Sequence, residues 1–587
     1  MTRIVPLLSL FALAACGGGS GPTSPSAGAD TAVAVRASKS AGTGDTATAA
    51  AALTVTSSLP GDGGNNQPRS RQPSFTFSSL LNAASVNGGN FALNAGALPV
   101  PAMIRVIDRV ARLEPESKLL PQTTYTVRAA PGILDTLGQT LAEPVQRSFV
   151  TADAGWKETL QLPFTGLMTG VQVSVALDPK GNGWGAWSAA GVVYVNRFDV
   201  GTGVWSPPQA ISGNPHLQIN EPQLAADGAG NAVLVWAQGN QQRLALYASR
   251  FTAATGSWEM PRLISTDAPN SANAMARVVA RADGVITVAW RRAGAGVYAS
   301  TASMDTNFGW VAPIRIDDPD TPSDNAVATL AIAVSPTPGG RAAIAWSTGN
   351  LFENAEVWVS EFSGSVPWPF ARPRKLSNPG SVSDREVGVS VDGAGQVHVL
   401  WHHDESVSSS NNSTLQFAHF DGSNWSAPRA LGPARGVAFG NAIASNTELG
   451  RQSATWVSWL DTFGSSPRVM AARLRGGTAD APQVIGLPPV SSLNVNQRSA
   501  LTVDRAGNVV VGWTTGTTSA EGRVMAARYV ARLNAWQAVR TLDQQPLGSS
   551  FTPILAGNAV GDVLVAWRGF NSDPFDPTTP IFTKRFD

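Results

Sequence analysis

The chain has 587 residues, enough for several domains or for one large repeat array with an accessory domain. Only 14% of the residues are charged and the net charge is +1, so the basic footprint of a nucleic-acid-binding protein is missing and no nucleic-acid partner is expected. Plentiful Gly (58) and Pro (40), 18 Trp and no amphipathic helical run point to many turns joined by short strands, an all-β chain.

The N-terminus reads as a targeting segment, residues 1–16. Arg3 supplies a positive start and Ile4 to Ala14 a short apolar run, too short to span a bilayer as a permanent helix. The residues Leu13-Ala14-Ala15-Cys16 resemble the lipobox of bacterial lipoproteins, which implies cleavage before Cys16 and lipidation of that cysteine. The alternative is an ordinary signal peptide that happens to contain a cysteine. Against it, Cys16 is the sole cysteine and stands where lipidation needs it. No disulfide is then possible, and stability must come from packing. The expected setting is the outer membrane, with the lipid anchor holding a monomer that faces the periplasm or the cell surface. Residues 17–52 are rich in Gly, Ala, Ser and Thr and predict a flexible tether, since such a composition buries too little apolar surface to offset its ordering entropy.

Residues 53–152 alternate in short runs between Gly/Pro/Asn turns, as in Phe75-Thr76-Phe77 and Tyr125-Thr126-Val127-Arg128. A domain of about a hundred residues with this pattern suits an immunoglobulin-like sandwich. The stretch also resembles bacterial immunoglobulin-like domains of surface-layer and adhesin proteins. The matching residues are Leu59-Pro60-Gly61-Asp62-Gly63, Leu119 to Val127, Leu134-Asp135-Thr136-Leu137-Gly138 and Ser148-Phe149-Val150-Thr151. That resemblance implies a spacer or adhesive module.

Residues 155–587 repeat. A tryptophan ends an apolar run at Trp187, Trp236, Trp290, Trp346, Trp401, Trp459, Trp513 and Trp567, with a glycine six residues earlier in all but the sixth copy. Asp178, Asp227, Asp392 and Asp504 stand nine residues before their tryptophans, where a carboxylate and a glycine suit a tight hairpin. Four strands in about fifty residues is the pattern of a propeller blade. The eighth copy ends after its third strand, and the matching fourth strand, Gly155 to Leu162, precedes the first copy. The prediction is an eight-bladed β-propeller closed by a shared last blade, which pairs the edges an open array would expose. The periodic tryptophans are expected in the core; Trp184, Trp358 and Trp456 lie off the pattern and are candidates for binding.

The Asp-x-x-Gly turn looks a little like the Asp-box of sialidase-type propellers, with different spacing and strand placement. Sialidases also need an arginine triad. Arg197, Arg250, Arg473, Arg528 and Arg585 instead share one position per repeat, which predicts packing. The repeats carry a different motif from the eight-bladed lipoprotein of the outer-membrane assembly machine. Variable polar loops between second and third strands mark the face where recognition is expected. The candidates there are Arg291, Arg292, His402, His403, Asp404 and Arg568. Four of the five histidines, His398, His402, His403 and His419, fall in the fifth copy. Adjacent strand residues point to opposite faces, so His402 and His403 are poorly placed to share an ion, and no metal or cofactor is expected. Asp317, Asp318, Asp320 and Asp324 lack the spaced ligands of a calcium loop and predict a polar connector. Two functions follow. One is a recognition or adhesion protein binding a glycan or protein through that loop face. The other is a polysaccharide-active lyase or glycosidase using His402 or His403.

Overall fold

The computed structural model describes residues 52–163, 173–213, 218–240, 243–265, 273–305, 308–317, 327–350, 353–362, 372–377, 383–404, 413–432, 438–446, 453–461, 468–486, 499–515, 522–543, 553–569 and 580–587. The expected signal peptide, Cys16 and the tether up to residue 51 lie outside them, as do Asp318, Asp320 and Asp324. Among the described residues the one helical element is a 3-10 turn at Ala83–Ser85, and no helix is long and apolar enough to cross a membrane.

The first domain is a sandwich. One sheet runs Val55–Leu59, Ser74–Phe77, Val110–Pro115, Ala102–Ile107; the other runs Gly64–Gln67, Val145–Thr151, Thr124–Ala129, Phe91–Ala95, Leu98–Pro99. Period-two alternation explains the shared core: Phe91, Leu93 and Ala95 are buried while Ala92 and Asn94 are only partly so. Phe75 of one sheet meets Phe91 of the other at 5.9 Å, and Tyr125 stacks on Phe149 at 5.6 Å. Each such buried ring contributes roughly 1.5–3 kcal/mol of transfer free energy. The Tyr125 hydroxyl accepts from the Leu120 N–H at 2.7 Å, so its polar end is satisfied.

Each later repeat is an antiparallel meander. In the second, Gln218–Ala226, Ala232–Asn240 and Arg243–Thr252 pair in order. The fourth strand is split into Ser257–Trp258 and Arg262–Leu263, because Pro261 has no N–H to give the ladder. The second strand is buried on both faces from Ala232 to Gln238, since its sheet lies between neighbouring sheets. The eight periodic tryptophans are 0–5% exposed and fill the gaps between sheets. Small residues on first strands let neighbours approach: a Cβ on Gly388 would stand 3.0 Å from Ile443 Cγ2.

The hairpins show why aspartate recurs. Asp178 Oδ1 accepts from the Lys180 and Asn182 N–H groups at 2.9 and 2.8 Å, and Oδ2 from Asn182 Nδ2 at 2.8 Å. Asp227 and Asp504 repeat this set. Gly181, at φ +91°, takes the left-handed turn that a side chain would resist.

The strand expected at Gly155 to Leu162 is Trp156–Gln161, antiparallel to Ile581–Phe586 in a sheet continued by Val563–Arg568 and Ile554–Gly557. The last and first repeats touch: Asn558 Nδ2 donates to Asp178 O at 2.9 Å, and Trp205 Nε1 to Thr583 Oγ1 at 3.1 Å. Their side chains share one core that includes Leu564, Ala566, Val175 and Trp187.

The recurring arginines pack between repeats. Arg250, Arg473 and Arg528 are 4–7% exposed. Arg197 lies over Phe251, Arg250 over Phe308, Arg528 over Phe586 and Arg585 over Phe198, each ring belonging to the next repeat. Two of the three off-pattern tryptophans are buried and present no face to a ligand. Trp184 (0% exposed) and Trp456 (4%) are core residues under Arg197 and Arg473, and Trp358 is half-buried against repeats three and four.

The immunoglobulin-like domain docks on hairpin turns of repeats seven and eight. Arg69 donates to Asp562 Oδ1 at 2.9 Å, to Val560 O at 2.5 Å and to Leu119 O at 2.9 Å. Asn508 Nδ2 reaches Pro121 O at 3.3 Å, and Arg532 reaches Gln122 Oε1 at 2.7 Å.

Candidate functional site

The docking contacts just described fall on the end that carries the first-to-second-strand hairpins. The candidate residues fall at the other end. Arg292 closes Val285–Arg292, Asp404 closes Val397–Asp404 and Arg568 closes Val563–Arg568. The loops that follow Asp404 and Gly569 lie outside the described residues. Strand order places these side chains on repeats three, five and eight. Arg291 donates to Val327 O at 3.3 Å, tying repeat three to repeat four. Arg292 sits 5.3 Å from the Tyr298 ring of its own hairpin. Burial lowers the pKa of Arg568.

Repeat five contains a dyad. His403 Nδ1 lies 2.6 Å from Asp384 Oδ1, with the carboxylate side chain 1% and the imidazole 13% exposed. Against a carboxylate Nδ1 is the donor, which fixes the orientation of the ring; in the neutral form of such a ring Nε2 is the acceptor, as an oriented general base requires. His402 points the other way, buried, with Nδ1 3.8 Å from Asp404 Oδ1. The two adjacent imidazoles therefore have different carboxylates, as strand alternation requires. Asp384 is a residue that sequence reading missed.

The cluster of four histidines is in fact two pairs of positions. His398 and His419 face each other across their strands, ring centroids 5.0 Å apart, at the hairpin end of the same repeat. His398 Nδ1 is 3.1 Å from Thr455 Oγ1 of repeat six, and its imidazole is 1% exposed. Burial pushes the His398 pKa down to about 3, with His419 adding to the shift, and burial lowers His419 as well. These two are neutral packing residues. Asp317 pairs with Arg315 at 2.8 and 3.0 Å, and no cluster of three metal-ligating side chains occurs among the described residues.

A cavity of about 430 Å³ opens between the first strands of repeats three to six, lined by Met275, Arg277, Thr329, Glu386, Val387 and Asn441. Bulges in these strands shape it. Register slips at Ala274/Arg277, at Val327/Thr329, at Arg385/Gly388 and at Phe439/Ala442, and Met275, Glu386 and Gly440 take φ of +54°, +52° and +55°. Left-handed backbone at a non-glycine residue stores strain of order 1–3 kcal/mol, and such strain concentrates at functional positions. Neighbouring strands are cross-tied: Gly440 N–H donates to Glu386 Oε2 at 3.0 Å, and Asn441 Nδ2 to Glu386 O at 2.7 Å. The Val387 N–H donates to Thr329 Oγ1 at 3.2 Å. One cation, one carboxylate, an amide and a hydroxyl thus stand on one concave wall.

Residues 49–151 match the family profile of a bacterial Ig-like domain. No curated protein matches the chain. Among solved structures the chain is similar to the Dos1 propeller, at 9% identity over 74% of this chain and 95% of that one, TM-score 0.41. It is similar to an ulvan lyase of a polysaccharide lyase family, at 11% identity over 65% and 92%, TM-score 0.36. An α-L-arabinanase of Penicillium chrysogenum complexed with arabinobiose has 11% identity over 65% and 99%, TM-score 0.36. These likenesses carry no argument about activity.

Proposed function

We propose that the chain is a lipid-anchored protein of the bacterial envelope that displays an eight-bladed propeller, closed by a shared last blade, and recognises a glycan at the propeller end opposite its immunoglobulin-like domain. The cavity between repeats three to six carries the reading. Its volume falls in the range of small-molecule sites, about 300–1,000 Å³, and Arg277, Thr329, Glu386 and Asn441 supply the mixed donors and acceptors that a hydroxyl-rich ligand needs. Docking of the Ig-like domain on the hairpin end supports access from the opposite end. Eight buried tryptophans and the pairing of Trp156–Gln161 with Ile581–Phe586 support the ring. The lipobox-like residues ending in Cys16 support a membrane anchor.

The His403–Asp384 pair favours a second reading, a polysaccharide lyase or glycosidase, because an oriented imidazole can serve as a proton acceptor. A glycan array probed with the chain from Gly17 onward separates the two, run beside an assay for unsaturated sugars and new reducing ends. Binding without cleavage is the expected result. Cleavage abolished by His403→Ala would establish the enzyme, and a silent array with a protein partner captured instead would sink the glycan reading.

A further inference from the structure

Another cavity, of about 740 Å³, lies on the flank of the array, away from the open end. There the third strand of repeat seven (Arg523–Val530) and its split fourth strand (Ala535–Trp536 and Arg540–Thr541) face the inter-domain segment Asp153 to Gly155 and the last strand, Ile581–Phe586. Trp156, Arg528, Gln537, Arg540, Thr541 and Lys584 line it.

Its lining carries three cations, Arg528, Arg540 and Lys584, while Asp504 and Asp543 act on Arg528 and Lys584 from outside the wall. Asp153 is the one carboxylate in the wall, and it is already held by Arg528 Nη1 at 2.6 Å and by Gln537 Nε2 at 3.2 Å. Arg528 is 4% exposed with its guanidinium 4.8 Å from the Phe586 ring, yet its Nη2 is buried with no hydrogen-bond partner among the described residues. That nitrogen is enclosed by the fold, so the Arg528 charge acts on the cavity through its field rather than through an N–H contact. Lys584 Nζ donates to two neutral oxygens, Leu542 O at 3.1 Å and Thr159 Oγ1 at 3.3 Å. Arg540 is exposed on the rim. Half-buried Trp156, packed beside Phe586 at 5.1 Å, adds an aromatic wall, and Gln537 and Thr541 add an amide and a hydroxyl.

We propose that this seam binds a saccharide bearing a carboxylate, with Arg540 and Lys584 holding the acid group, buried Arg528 adding its field, and Trp156 packing against the ring. The volume suits more than a bare anion, and the aromatic face suits the C–H surface of a sugar. The ligand would touch repeat seven, the last strand and the strand that precedes repeat one, so binding would also strengthen the junction where the chain ends meet.

The test uses the full chain in detergent, titrated by calorimetry and followed by thermal melting. The probes are oligogalacturonate, a neutral galactan of equal length, and sulfate alone. Oligogalacturonate should bind and raise Tm, and its affinity should fall at least about tenfold in Arg540→Ala, an exposed position whose loss leaves the ligand-free Tm unchanged. Asn441→Ala, in the other cavity, should leave that affinity as it was. The proposal is overturned if oligogalacturonate does not bind, or if galactan or sulfate does as well. It is also overturned if binding is lost in Asn441→Ala and kept in Arg540→Ala.

Discussion

His398 and His419 stand neutral at pH 7 because their surroundings withhold the water that an imidazolium needs. The unfolded chain titrates near 6.5, so below that pH it takes up protons that folded His398, at about 3, refuses. Stability from this residue is therefore complete above pH 6.5 and is lost as the pH falls, by roughly 1.4 kcal/mol per unit. Asp504, which burial pushes up to about 6, works in the opposite direction and masks part of the slope. The difference between wild type and His398→Gln isolates the histidine. Urea unfolding at pH 7.5, 6 and 5 should show the wild type losing stability faster than the variant, and parallel pH profiles would refute the assignment. The dyad shows where reading by residue fails. Val391 opposite Val397 sets a hairpin register that, continued, would bring Arg385 to His403. The bulge at Glu386 and Val387 slips the pairing by one and brings Asp384 instead. Nothing in the residue types announces that slip.

Elements were more legible than sites. The tryptophan period and the Asp-Gly hairpins follow from local chemistry, and both recur in the structure where they were expected. The strand before repeat one was legible too, because its Trp and Leu copy the pattern of a fourth strand. Trp184 and Trp456 were misleading for the opposite reason: the slots that hold them are made by neighbouring repeats and leave no trace in the period. Pairing of Trp156–Gln161 with Ile581–Phe586 places Leu160 opposite Thr583, and directly opposite residues of antiparallel strands stand about 4.5–5.5 Å apart at Cα, within the span of a disulfide. With Cys16 replaced, Leu160→Cys/Thr583→Cys should oxidise fully and raise the melting temperature, since the bond closes a loop of several hundred residues. Free thiols persisting under oxidant, read by mass spectrometry, would contradict the pairing.

At the scale of the molecule, the two domains are joined by more than a linker. Arg69 and Asp562 form an ion pair with side chains 9% and 3% exposed, and the same guanidinium also holds two backbone carbonyls. Arg69→Ala would leave Asp562 buried without its main counter-charge, with Lys118 Nζ at 3.6 Å as partial replacement. The expected loss is about 3 kcal/mol, seen as earlier cleavage between the domains in limited proteolysis. An unchanged digestion pattern would mean that the contact does not hold them. No sequence period could have revealed this contact, because its partners lie 493 positions apart. Among the described residues, it leaves the end that carries Arg277, Glu386 and Asn441 uncovered by the first domain. The most direct measurement is a calorimetric titration of the strongest glycan-array ligand against wild type, Arg277→Ala and Asn441→Ala. Recognition through this cavity predicts a loss of at least about tenfold in each variant with melting temperatures near that of the wild type. Equal affinities in all three would contradict it.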